Sequence, residues 1–147
     1  MDNQTVLKSN FTILFNNLKM AINQYLKEGY LTRETKYVEA YLAATIHALM
    51  DYADKYLDSK SEIILACKYA NNTLKHNDLL ITHEEIIGGF SFPISFPIKM
   101  EKIQVVWNYD ASVKTRHQNQ QDAFKNCFAG RPILETLLPV ARLIEKE

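Results

Sequence analysis

Residues 67 to 78 read CKYANNTLKHND and gather the side chains with the most chemistry to offer: Lys68, Asn71, Asn72, Lys75 and His76. In a helix, Asn71 and Lys75 share a face, as do Asn72 and His76, because residues four apart are neighbours on the helix surface. An imidazole beside ammonium and amide groups could hold a phosphate and move a proton at it. Lys68 lies eight residues ahead of His76, about two turns, on the same side and within reach of the same anion. The bland chemistry is equally physical. Lys75 and His76 fall where positive side chains complement a helix dipole and bond its last carbonyls. Asn71, on the expected inner side, must find hydrogen-bond partners whatever the protein does. A network that pins the helix end is the reading favoured over a catalytic site.

The other reactive residues are dispersed. His47 lies mid-helix beside an apolar stripe and is expected to be a satisfied core histidine, which an antiparallel third helix would bring near His76. A metal would need His47, His76, His83, Glu84, Glu85 or His117 to converge from separate elements, since no H-x-x-x-H or H-E-x-x-H occurs. No metal or cofactor is expected. Cys67 and Cys127 are isolated thiols without a C-x-x-C pair, read as buried small hydrophobes. Arg116-His117 with Lys114 reads as a solvated helix entry. Trp107, Tyr109 and nearby phenylalanines, with Lys99, Lys102 and Arg116, could stack single-stranded nucleic acid. Their strict alternation instead assigns them to one buried face.

Elements must position these groups. From Thr5 to Glu28, Leu7, Phe11, Leu14, Phe15, Leu18, Ile22, Tyr25 and Leu26 recur at helical steps, and Gly29 ends the run. Thr32 or Thr35 can cap a second helix with Val38, Tyr41, Leu42, Thr45, Leu49, Tyr52 and Tyr56 inside, antiparallel to the first across a short link. Ser59 or Ser61 can cap a third, with Ile63, Ile64, Cys67, Ala70, Asn71 and Leu74 inward and a stop at His76-Asn77-Asp78. The period then becomes two. Phe90, Phe92, Ile94, Phe96 and Ile98 alternate with Ser91, Pro93, Ser95 and Pro97, and Ile103, Val105, Trp107 and Tyr109 alternate again, so a β-hairpin near residues 88–110 is expected, turning at Lys99 to Lys102. Pro93 and Pro97 leave one strand edge without donors. A fourth helix holds Ala123, Phe124, Cys127 and Phe128 and closes at Gly130. After Arg131-Pro132 a last one runs through Ile133, Leu134, Leu137, Leu138, Val140, Ala141 and Ile144, with Pro139 kinking it.

The chain of 147 residues, 47% hydrophobic and with four glycines and four prolines, is read as one globular domain, residues 1–147. Seventeen basic residues balance seventeen acidic ones without a Lys/Arg block, so no DNA-binding footprint is expected. No segment has the apolar run of a membrane span or a signal peptide, and the expected location is cytoplasmic. The fold class is α+β, mainly α: an antiparallel bundle of about five helices with one inserted hairpin.

The third helix with A-N-x-x-K-H, the Phe/Pro-rich hairpin and the terminal G-R-P-x-x-E-T-L helix together resemble small bacterial proteins whose helices look like the HEPN superfamily. The resemblance covers most of the chain through short motifs. It implies a homodimer and a role in a defence or stress system. Active HEPN ribonucleases carry an Arg, then four to six residues, then a His on one helix, and cleave RNA at a composite site. Here Arg33, Arg116, Arg131 and Arg142 all miss that spacing, and Asn71 or Ala70 stands where the Arg would be. The expectation is therefore a non-catalytic dimeric interaction or recognition module, with Lys68, Asn71, Asn72, Lys75, His76 and His47 as binding residues. The alternative is a divergent ribonuclease, or an RNA- or nucleotide-binding enzyme, with His76 as its catalytic candidate.

Overall fold

The computed structural model describes residues 2–27, 36–75, 81–87, 101–108 and 118–146. The protein is mainly helical, with five helices among these residues: α1 (Asn3–Lys27), α2 (Lys36–Tyr56), α3 (Glu62–Lys75), α4 (Gln118–Cys127) and α5 (Ile133–Lys146). Strand β1 (Ile81–Ile87) and strand β2 (Glu101–Trp107) lie between α3 and α4 in sequence.

Helix α1 starts ahead of Thr5 because Asp2 caps it: its carboxylate accepts from the Thr5 N–H at 2.7 Å. That bond holds the Asp2 carboxyl below its usual range. The inner stripe is as expected, with Phe11, Phe15, Leu18, Ile22 and Tyr25 buried. Helix α2 lies antiparallel to α1. Gln4 near the start of one donates to the Tyr52 hydroxyl near the end of the other at 3.2 Å. At the opposite end Ala21 and Tyr25 face Val38 and Tyr41 across a groove. Thr45, buried at the centre of α2, satisfies its hydroxyl on the Tyr41 carbonyl at 2.6 Å.

Between α2 and α3, Asp58 accepts from the Lys60 N–H at 2.9 Å, and the Ser61 carbonyl takes the first helical bond of α3 from Leu65 at 2.9 Å. Of the two serines considered, Ser61 marks the helix start. The buried arc of α3 is turned from the one expected. Ile64, Ala66, Cys67, Tyr69, Ala70 and Thr73 are buried, while Asn71 is only half-buried. Thr73 takes the inner place without a polar cost, because its hydroxyl donates to the Tyr69 carbonyl at 2.9 Å.

Helix α4 packs on α3, with the Tyr69 and Phe124 rings 4.9 Å apart. Strand β2 pairs antiparallel with β1, from Ile81 opposite Trp107 to Ile87 opposite Glu101. Glu101 and Lys102 therefore belong to a strand, not to the expected turn. The expected first strand, Phe90 to Ile98, lies outside the described residues, as do Gly29, Thr32, Thr35 and Tyr109. Beyond Trp107 the chain is tied to the α4–α5 turn. Gly130, at φ 76°, donates to the Trp107 carbonyl at 2.9 Å, and the Trp107 N–H returns a bond to the Arg131 carbonyl at 3.0 Å. Pro139 lies inside α5 at an exposed position, where it removes the N–H that the Glu135 carbonyl would otherwise accept. No described helix is long and apolar enough to cross a membrane.

Candidate functional site

Three of the polar residues of α3 have a described exposure. Asn72 is exposed, Asn71 and Lys68 are half-buried, and Lys75 is the last helical residue. The expected network would run through His76 and the loop after it, which lie outside the described residues. Lys68 turns away from the helix end, and its Nζ donates to the Ser59 carbonyl at 3.4 Å, bracing the α2–α3 turn. His76, the catalytic candidate, lies outside the described residues, as do Lys114, Arg116 and His117.

His47 departs from the expected core histidine. It is exposed on α2, with Nε2 3.7 Å from Asp51 Oδ2 one turn along. Its surroundings are Asn10, Ile13 and Leu14 of α1 with Ala44 and Ala48 of its own helix, around a groove of about 390 Å³.

The thiols are not poised for chemistry. Burial pushes Cys67 far above the ordinary thiol range, and nearby Cys127 adds to the effect. Cys127 is raised first by its own desolvation and then by the Glu62 carboxylate that bonds it, against a smaller opposing effect of Arg131. Trp107 is not a stacking platform. It is fully buried, stacked on Phe128 at 5.1 Å and edge-on to Phe124 at 5.7 Å, with its indole N–H bonded to Thr136. Among the described residues no group of three or more His, Cys, Asp or Glu converges as metal ligands would.

A further surface feature lies on α1 and carries no reactive side chain. Beside its core stripe, α1 carries a second run at alternating steps of three and four: Asn3, Val6, Asn10, Ile13, Asn17, Met20 and Gln24. Such spacing makes one continuous seam along a helix. Its apolar members are open, with Val6 39%, Ile13 59% and Met20 67% exposed, and Tyr37 of α2 is 63% exposed beside them. Two grooves of about 390 Å³ each lie along this face between α1 and α2. One is the groove at His47; the other is lined by Asn17, Met20 and Gln24 with Tyr37, Val38 and Tyr41. The signal was present in sequence as a second heptad beside the core stripe, disguised by amides at every other position.

Scattered exposed apolar residues are ordinary, but an aligned row beside a groove is the form of a helix-docking surface. Comparison with known proteins returns no match among family models, curated proteins or solved structures.

Proposed function

We propose that the chain is a non-catalytic interaction module, HEPN-like in architecture, whose α1–α2 face docks on a helical protein surface in the cytoplasm. In this reading the helices form one antiparallel bundle into which the β1–β2 pair is inserted. The observation that carries it is the open seam of Val6, Ile13 and Met20 with Tyr37 alongside. Leaving four large apolar side chains in water along one face has no benefit to the folded monomer and gains free energy once they are covered.

The chemistry of the α3 end supports the same reading. Its sequence lacks the arginine that would stabilise phosphate charge ahead of His76, and Lys68 is engaged with the Ser59 carbonyl. The test is direct. Pure protein incubated with mixed RNA should leave it intact, with His76→Ala indistinguishable from the parent chain. RNA cleavage that disappears in His76→Ala would overturn the module in favour of a divergent ribonuclease.

A further inference from the structure

We infer that a cleft between α1 and α5 is a binding site for an acidic α-amino acid, a ligand with two carboxylates and one ammonium. The cleft shares no lining residue with either groove of the α1–α2 face, so the inference is independent of the docking surface.

The cleft has a volume of about 150 Å³, and its charged lining is Lys19 from α1 with Arg142 and Glu145 from α5. Its apolar floor includes the buried Phe15 ring, with Leu138 beside it. Lys19 is held over that floor: its Nζ lies 4.6 Å from the Phe15 ring centroid, a cation drawn to the face of an aromatic ring. The space is less than half that of either α1–α2 groove. It falls below the roughly 300 Å³ at which pockets for drug-sized ligands begin, which favours a molecule of amino-acid size over a nucleotide or a helix.

Charge selects the class. Among the described residues none of Lys19, Arg142 and Glu145 forms an ion pair, although Glu145 is one helical turn from Arg142 and faces the same cleft. Two cations and one carboxylate are therefore open to a guest. An inorganic phosphate would satisfy the cations and meet Glu145 with like charge. A ligand with one carboxylate would leave a cation unmatched. Two carboxylates and an ammonium match all three groups, and their single net negative charge cancels the single net positive charge of the lining. The planar guanidinium of Arg142 suits one carboxylate in a two-pronged contact, and Lys19 suits the other as a point charge. The methylenes between them rest on Leu138 and the edge of Phe15.

The experiment is an amide-shift titration of the ¹⁵N-labelled full-length chain with L-glutamate, against sodium chloride of equal ionic strength. Saturable shifts are expected at Asn16, Lys19 and Arg142, which line or flank the cleft. Glutarate, which lacks the ammonium, and L-glutamine, which lacks one carboxylate, should each bind about tenfold more weakly, the scale of one charge-assisted hydrogen bond. Lys19→Gln and Arg142→Gln should each weaken L-glutamate by about the same factor. Glu145→Gln separates this site from a plain anion patch. It should weaken L-glutamate and tighten glutarate, because it removes the partner of the ammonium and the repulsion of the dianion at once. Unfolding midpoints equal to the parent's are expected for all three variants, whose side chains are exposed or half-buried. Shifts that sodium chloride reproduces, inorganic phosphate or glutarate binding as tightly as L-glutamate, or Glu145→Gln moving both ligands in one direction overturns the inference. None of these results bears on the α1–α2 face or on RNA cleavage, so the interaction-module reading stands or falls separately.

Discussion

The Trp107 indole N–H donates to Thr136 Oγ1 at 2.8 Å, and that hydroxyl in turn donates to the Ile133 carbonyl at 2.8 Å. Both side chains are buried, so this relay fastens β2 to the first turn of α5 where water cannot substitute. Thr136→Val keeps the shape and removes the acceptor, leaving a buried N–H without a partner. A loss of about 1–3 kcal/mol is expected. Urea unfolding followed by Trp107 emission measures it, since Trp107 is the chain's single tryptophan. An unchanged midpoint would show that the indole has another acceptor.

Gly130 supports the other side of the same strand. Its φ of 76° lies in the left-handed region, and its N–H bonds the Trp107 carbonyl at 2.9 Å. A Cβ in that conformation meets the neighbouring carbonyl oxygen. Gly130→Ala should therefore lower stability by about 1–2 kcal/mol, seen as a lower thermal midpoint with the far-ultraviolet spectrum unaltered.

Cys67 makes a pH-dependent contribution whose sign follows from its burial. The folded state disfavours the thiolate and holds the proton more tightly than the unfolded chain, whose thiol titrates near 9.0. The stabilisation is fully present below that value and is lost as pH rises, because only the unfolded chain releases the proton. The difference between wild type and Cys67→Ala should be flat from neutral pH to about 8 and then shift by up to about 1.4 kcal/mol per pH unit. Paired unfolding curves isolate this from lysine and tyrosine titration. In native protein a thiol reagent should modify Cys127 slowly and Cys67 only after denaturation.

How much of this was legible before the structure differs from element to element. The core stripe from Phe11 to Tyr25 and the left-handed Gly130 follow from local rules, a helical period and a missing Cβ, and both are present. Tyr69 and Thr73 were missed on the buried arc of α3 because polarity patterns treat a threonine as outward. Its bond to the Tyr69 carbonyl makes it apolar in effect. His47 was misplaced for a related reason. Mid-helix position does not say which side α1 covers, and the angle between two helices is a tertiary property. For β2, alternation identified a strand but not its partner, since strand pairing is decided by contacts far apart in sequence.

The seam on α1 can be separated from the core stripe by a contrast within one helix. Leu18 is fully buried and Ile13 is 59% exposed, five residues away. Truncating Leu18 to alanine removes apolar contact on all sides and leaves a cavity, so Leu18→Ala should cost about 2–5 kcal/mol. Ile13→Lys replaces a side chain already in water and should stay within about 0.5 kcal/mol of the parent. The measurement is chemical unfolding of both variants and the parent chain at one protein concentration, so that the contrast between a sealed and an open position on the same helix is read without any contribution from association.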